Sequence, residues 1–232
     1  MKILSVDTSS SVCAVALLED EELINQKILD NGKTHSENFM SLLDETLKET
    51  NISLDDIDLI VCCVGPGSFT GIRIGIASIK AIAEIKHIKI VSVTSLESLS
   101  YNVESVDKED IISMIDARNN QVYAGIFDFN HEKKCEYLAD DINVILDKIL
   151  NLCSEKIIFV GDGAMLHKDL ILEKLRGKDI KFIDDALNKQ NAVSLGRCGY
   201  RKFLKNEDIK DADTINPLYL RKSQAERMKN AK

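Results

Sequence analysis

Hydrophobic and polar positions divide the chain into short apolar runs and longer segments of helical spacing. "KILSVD" (2–7), "VCAVALL" (12–18) and "ELINQKIL" (22–29) are apolar runs separated by polar turns, the pattern of a three-stranded meander. Over 34–50 the apolar residues recur at 39, 40, 42, 43 and 47, and Thr34 or Ser36 stands ready as a cap, so an amphipathic helix is expected. "LDDIDLIVCCVG" (54–65) predicts a strand running into a glycine-rich turn. A helix then runs from near Ser68 or Thr70 to near Lys86, and "IKIVSVT" (88–94) is the next strand. Strands alternating with helices predict a parallel α/β arrangement.

The second half repeats this order. "IISMIDARNNQVYAGIF" (111–127) echoes "ILSVDTSSSVCAVAL" (3–17): an apolar strand ends in an aspartate, Asp7 or Asp116, then a polar turn leads into a second strand. A third strand near 133–139, a helix at 142–152, "IIFVGDGA" (157–164), a helix to about Leu175 and "IKFID" (180–184) complete the parallel. The expectation is a duplicated α/β chain of two βββαβα-type subdomains, 1–104 and 105–232, linked through the polar segment 101–110. A further helix is expected at 192–204. Beyond Pro217 the tail is basic, with Arg221, Lys222, Arg227, Lys229 and Lys232 against Glu226, and reads as solvated chain or a phosphate contact.

Composition narrows the function. The net charge of −8 argues against a chain that binds nucleic acid unaided. Six cysteines are scattered without C-x-x-C or zinc spacing, as expected for free thiols in a reducing compartment. No signal peptide or membrane span is expected, and a cytoplasmic location follows.

The glycine-rich turn raises the main chemical question. "GPGSFTGIRIGIASIKAIA" (65–83) opens a helix, and helix N-termini hold anions, but the loop lacks the P-loop lysine. Gly71, Gly75, Ser78 and Ile82 form a small-residue stripe. Ile72, Ile76, Ile79 and Ala83 form a second apolar stripe, and Ile74, Ala81 and Ile85 help form a third. Polar residues are confined to Arg73, Lys80, Glu84 and Lys86. Two interior glycines cost about 1 kcal/mol each relative to alanine, which suggests that they serve close packing. Packing inside the chain and packing on a partner helix both fit.

"VDTSS", "THSENFMSLLDETL", "GPGSFTGIRIGIASIKAIA", "VTSLESL", "IDARNNQVYAGIFD", "GDGA" and "PLYLR" resemble the bacterial TsaB (YeaZ) family of tRNA threonylcarbamoyladenosine biosynthesis proteins, relatives of the TsaD/glycoprotease family. The resemblance spans nearly the whole chain. It implies a duplicated actin/Hsp70-like (ASKHA) fold. It also implies a non-catalytic role beside a TsaD-type catalytic subunit and a TsaE-type ATPase, which together place threonylcarbamoyl on N6 of adenosine 37 in tRNA. The chain would meet tRNA through the complex and form a homodimer when alone.

The resemblance also frames the candidate sites. Catalytic relatives carry two metal-binding histidines one turn apart on the first helix. Here His35 has Phe39 where its partner should stand, so no metal is expected. ATPases of this fold hold phosphate in glycine-bearing hairpin turns, whereas "DTSSS" and "DARNN" have none. Asp7, Thr8, Ser9, Asp116, Gly161, Asp162 and Gly163 are therefore degenerate nucleotide-site positions. No cofactor of its own is expected, and nucleotide only at the interface of the complex. The expected partner interface is half of a helical bundle: His35, Phe39, Met40, Leu42, Leu43, Leu47, Gly71, Ile74, Gly75, Ser78 and Ile82. The competing readings are a glycoprotease-like metallopeptidase and an ASKHA phosphotransferase.

Overall fold

The computed structural model describes residues 1–30, 35–104 and 107–221, and only the backbone of residues 35–37. Strands Lys2–Asp7 (β1), Cys13–Glu19 (β2) and Glu22–Leu29 (β3) form the expected meander. β1 and β2 are buried on both faces, which explains their unbroken apolar runs. Helix His35–Thr50 (α1) leads to strand Leu59–Cys63 (β4), helix Phe69–Lys86 (α2) and strand Lys89–Val93 (β5). β4 lies parallel to β1, and β5 parallel to β4.

A short helix follows, Ser95–Ser100 (α3), and then the second set begins. It comprises Asp110–Asp116 (β6), Gln121–Phe127 (β7), Leu138–Asp141 (β8), helix Ile142–Leu152 (α4) and Lys156–Val160 (β9). Helices Asp162–Leu166 (α5) and Lys168–Lys174 (α6), strand Asp179–Phe182 (β10), helix Ala192–Leu204 (α7) and strand Ile209–Lys210 (β11) follow among the described residues.

The sheets run β11-β5-β4-β1-β2-β3 and β10-β9-β6-β7-β8, the same order once β11 is set aside. The duplication read from the sequence is thus present in the topology. α1 and α2 cover one face of the first sheet, with Leu4, Phe39, Leu43, Ile72 and Ile79 in that core. α7 covers the other face over Ala14, Leu18 and Val61. α4, α5 and α6 cover the outer face of the second sheet, and α3 packs on its inner face.

Four expectations change here. The third strand of the second half starts at Leu138, not near 133, because Asp128 Oδ1 accepts from Asn130 N (2.8 Å) and Glu132 N (2.9 Å) and holds 128–132 in a turn. The helix expected to Leu175 is two helices meeting at His167. α3 was not expected, although Thr94 and Glu97 form a capping box that starts it. The boundary at 104/105 separates the two sheets, but α7 and β11 return to the first sheet, so the first half is completed by residues beyond 190. The tail from Lys222 lies outside the described residues.

Candidate functional site

The first hairpin turn is closed by the chain itself. Asp7, Thr8 and Ser9 are each 1% exposed. Asp7 Oδ1 accepts from Ser9 N at 2.8 Å, and Thr8 Oγ1 donates to the Gly71 carbonyl at 2.8 Å. The glycine-rich loop lies against this turn. Ser68 N donates to the Ser9 carbonyl at 2.7 Å, and a Cβ at Gly67 would fall inside 3.0 Å of the same oxygen. The loop is held from behind by Ser95 N on the Gly65 carbonyl (2.9 Å), Ser95 Oγ on the Pro66 carbonyl, and Leu218 N on the Val64 carbonyl (2.8 Å). The first free N–H groups of α2 are partly satisfied at home, since the Ser68 side chain accepts from Gly71 N at 3.2 Å. Residues 65–68 thus pack directly against this hairpin.

The second hairpin is built differently. Arg118, Asn119 and Asn120 all adopt positive φ, between 57° and 66°, which suits the two asparagines best. Asp116 Oδ1 accepts from Arg118 N at 2.8 Å. Asp162 Oδ1 accepts from Asp116 N (3.2 Å) and Gly163 N (2.8 Å), tying the start of α5 to the end of β6. A Cβ at Gly161 would strike the Met114 carbonyl, and one at Gly163 the Ile115–Asp116 peptide. Crowding of the Asp162 carboxyl by its neighbours, aided by the Asp116 charge and opposed by the two backbone donors, raises it from the ordinary aspartate value, although the residue as a whole is exposed. Both "GDGA" glycines therefore serve strand–helix packing.

The expected partner surface needs correction. Phe39, Leu42 and Leu43 are 2% exposed or less and belong to the core beneath α1. Gly71, Gly75 and Ile82 are buried as well, and Gly75 faces Thr8: its missing Cβ makes room for that side chain. At Gly75 the small-residue stripe thus packs on the turn after β1, within the chain itself. Leu47 is half-buried against the same core. Of the expected set, Met40 is 55% exposed, and Ile74 and Ser78 are half-exposed. Ala77, Ala81 and Ile85, the last 73% exposed, complete an outward strip on α2. The His35 side chain lies outside the described residues. Among the described residues no group of three or more His, Cys, Asp or Glu side chains is placed to hold a metal ion, and no helix is long and apolar enough to cross a membrane.

One polar cluster carried no signal in the sequence. Between the halves, Lys202 of α7 is buried and bonds Glu97 of α3 (2.7 Å) and Asp208 (2.7 Å). Burial opposes its charge, but the two carboxylates outweigh that and hold the ammonium above the ordinary lysine value. Glu97 Oε2 also accepts from Thr94 N at 2.7 Å, and Tyr137, just before β8, lies 3.3 Å from Thr94 Oγ1. Tyr101 stacks on His131 with centroids 4.2 Å apart. Residues 97 and 202 are 105 positions apart, so no local pattern could pair them.

Comparison with known proteins adds the family. Residues 30–229 match the model of TsaD, described as tRNA N6-adenosine threonylcarbamoyltransferase. The tRNA threonylcarbamoyladenosine biosynthesis protein TsaB of Bacillus subtilis is 34% identical over 231 residues, covering 97% of this chain and 96% of that one. YeaZ from Pseudomonas aeruginosa superposes with a TM-score of 0.75 at 21% identity, covering 94% and 99% of the two chains. The ROK hexokinase from Thermus thermophilus superposes at 0.55 with 8% identity, covering 88% and 100%. The fold is the duplicated actin/Hsp70-like one.

Proposed function

The chain belongs to the TsaB family, within the wider TsaD family, and takes part in tRNA threonylcarbamoyladenosine biosynthesis; from that premise we propose that it is a non-catalytic subunit docking a TsaD-type transferase. The observation that carries this reading is the packing on the first hairpin. Ser68 on Ser9, Gly67 against Ser9 and Gly75 against Thr8 pack the glycine-rich loop and α2 onto the β1–β2 turn, which supports a turn that does not cradle a phosphate. Phosphotransfer on this fold needs that cradle. A metallopeptidase needs a second imidazole where Phe39 stands, and that ring is buried in the core.

Docking uses the outward strip of Met40, Ile74, Ala77, Ser78, Ala81 and Ile85, where small side chains let two helices approach closely. The same strip pairs two copies when the partner is absent. A TsaE-type ATPase and tRNA join through the transferase, and any nucleotide sits at the junction of subunits. Size-exclusion chromatography of the chain mixed with a TsaD-type subunit tests this. Co-elution that Met40→Asp and Ala77→Arg abolish is expected; co-elution unaffected by either moves the interface elsewhere.

A further inference from the structure

A cavity of about 490 Å3 lies between the halves, and none of the degenerate nucleotide-site residues lines it. α3 contributes Glu97, preceded by its cap Thr94; α7 contributes Arg201 and Lys202; the second half contributes Phe127 and Tyr137. It borders Val64 and Thr94, which directly follow β4 and β5. The carboxyl ends of parallel strands are where open α/β sheets take ligands, and the volume falls within the ordinary range for small-molecule sites.

The charges of the lining select the ligand. Four cations and four carboxylates face the space: Lys133, Arg201, Lys202 and Lys205, against Glu97, Glu132, Glu207 and Asp208. Two of the cations are committed to carboxylates outside it, Arg201 to Glu21 at 2.6 Å and Lys133 to Glu136 at 3.3 Å. Lys202 and Lys205 then face four carboxylates. Lys202 bonds Glu97 and Asp208, Lys205 bonds Glu132, and the Glu207 side chain, whose charge also reaches Lys205, has no hydrogen bond or ion pair of its own among the described residues. The surplus is negative, which disfavours phosphate esters and favours ammonium groups. The aromatic wall agrees. Tyr137 already lies under Lys133 Nζ at 4.7 Å, and Tyr101 under the Arg201 guanidinium at 5.4 Å, so these rings stand where cations collect. Phe127 and Leu218 add apolar surface for methylene groups.

We propose that this cavity binds a small aliphatic polyamine. Its ammonium groups lie on Glu132, Glu207 and Asp208, and its carbon chain runs along Phe127, Tyr137 and Leu218.

The test is calorimetric titration of the full chain with spermidine at fixed ionic strength. One saturable site is expected. Glu132→Gln with Glu207→Gln should weaken it about tenfold or more, since each removes a charged acceptor. Lys205→Gln should tighten it by freeing Glu132. The charge-matched pair Glu155→Gln with Glu173→Gln, on the far surface of the second half, should leave it unchanged. All five side chains are exposed, so the variants keep the fold, and melting curves verify that. No saturable binding overturns the proposal. So does equal weakening by the two double variants, which reports general attraction to an acidic protein, and so does weakening by Lys205→Gln.

Discussion

Gly75→Ala should destabilise the chain, against the sign that helix propensity gives. In an isolated helix the change is favourable by about 1 kcal/mol. Here the new methyl would fall inside 3.0 Å of Thr8 Oγ1 and 3.4 Å from Thr8 Cβ and Cγ2. Thr8 is 1% exposed and β-branched, and its hydroxyl is held by the Gly71 carbonyl at 2.8 Å, so it has little room to yield. Overpacking of this kind costs about 1–3 kcal/mol. Displacing the Thr8 hydroxyl loses a buried hydrogen bond worth about 1 kcal/mol more. Subtracting the propensity gain leaves a net loss of about 1–3 kcal/mol. For a chain of this size that lowers the melting temperature by roughly 2–12 °C. Urea or thermal unfolding of Gly75→Ala, Thr8→Ala and the double variant measures it. The double variant should recover stability, with a coupling of about 1–3 kcal/mol. A Gly75→Ala protein more stable than the parent, or a coupling near zero, refutes the packing argument.

Phe39→Asp should fail to fold, because it buries a carboxylate in the core under α1; far-ultraviolet circular dichroism and soluble yield report this. Met40→Asp should melt within about 0.5 kcal/mol of the parent while losing the transferase subunit in a pull-down, which separates surface from core on the same helix. Asp162→Asn keeps an acceptor for Asp116 N and Gly163 N but removes the like charge beside Asp116. A carboxyl whose folded pKa is raised loses stability as pH rises from its unfolded value through the folded one. The variant should therefore be more stable than the parent at pH 7, and the gain should vanish below about pH 3.5; a gain unchanged at acid pH counts against the charge explanation. Cys13, Cys62, Cys63 and Cys198 are buried and burial raises all four thiols, Cys62 to about 12, so a thiol reagent should leave them untouched until the chain unfolds.

The duplicated fold was legible because its signals are local. Apolar runs ending in Asp7 and Asp116, followed by polar turns, mark both hairpins, and Ser68 marks the start of α2. The destination of the apolar faces was not legible. Phe39, Leu42 and Leu43 read as partner interface because the sequence does not show that one sheet face needs both α1 and α2 to cover it. Gly75 does mark a close approach, but close approach to a strand end and to a partner helix leave the same pattern in the sequence. α3 had a readable capping box at Thr94 and Glu97, hidden by its short length. The cavity between the halves rests on α3 and α7 meeting across more than ninety residues, which no periodicity encodes.

The central claim is that the chain serves the modification of tRNA without chemistry of its own. Reconstitution with one component left out tests it most directly: TsaD-type and TsaE-type subunits, tRNA and threonylcarbamoyl-AMP, with transfer to adenosine 37 followed by mass spectrometry of nucleosides. The account predicts sustained modification only when this chain is present, none from the chain alone, and loss of its effect with Met40→Asp. Modification or ATP hydrolysis by the isolated chain at an enzymic rate would contradict it, as would full activity of the mixture without the chain.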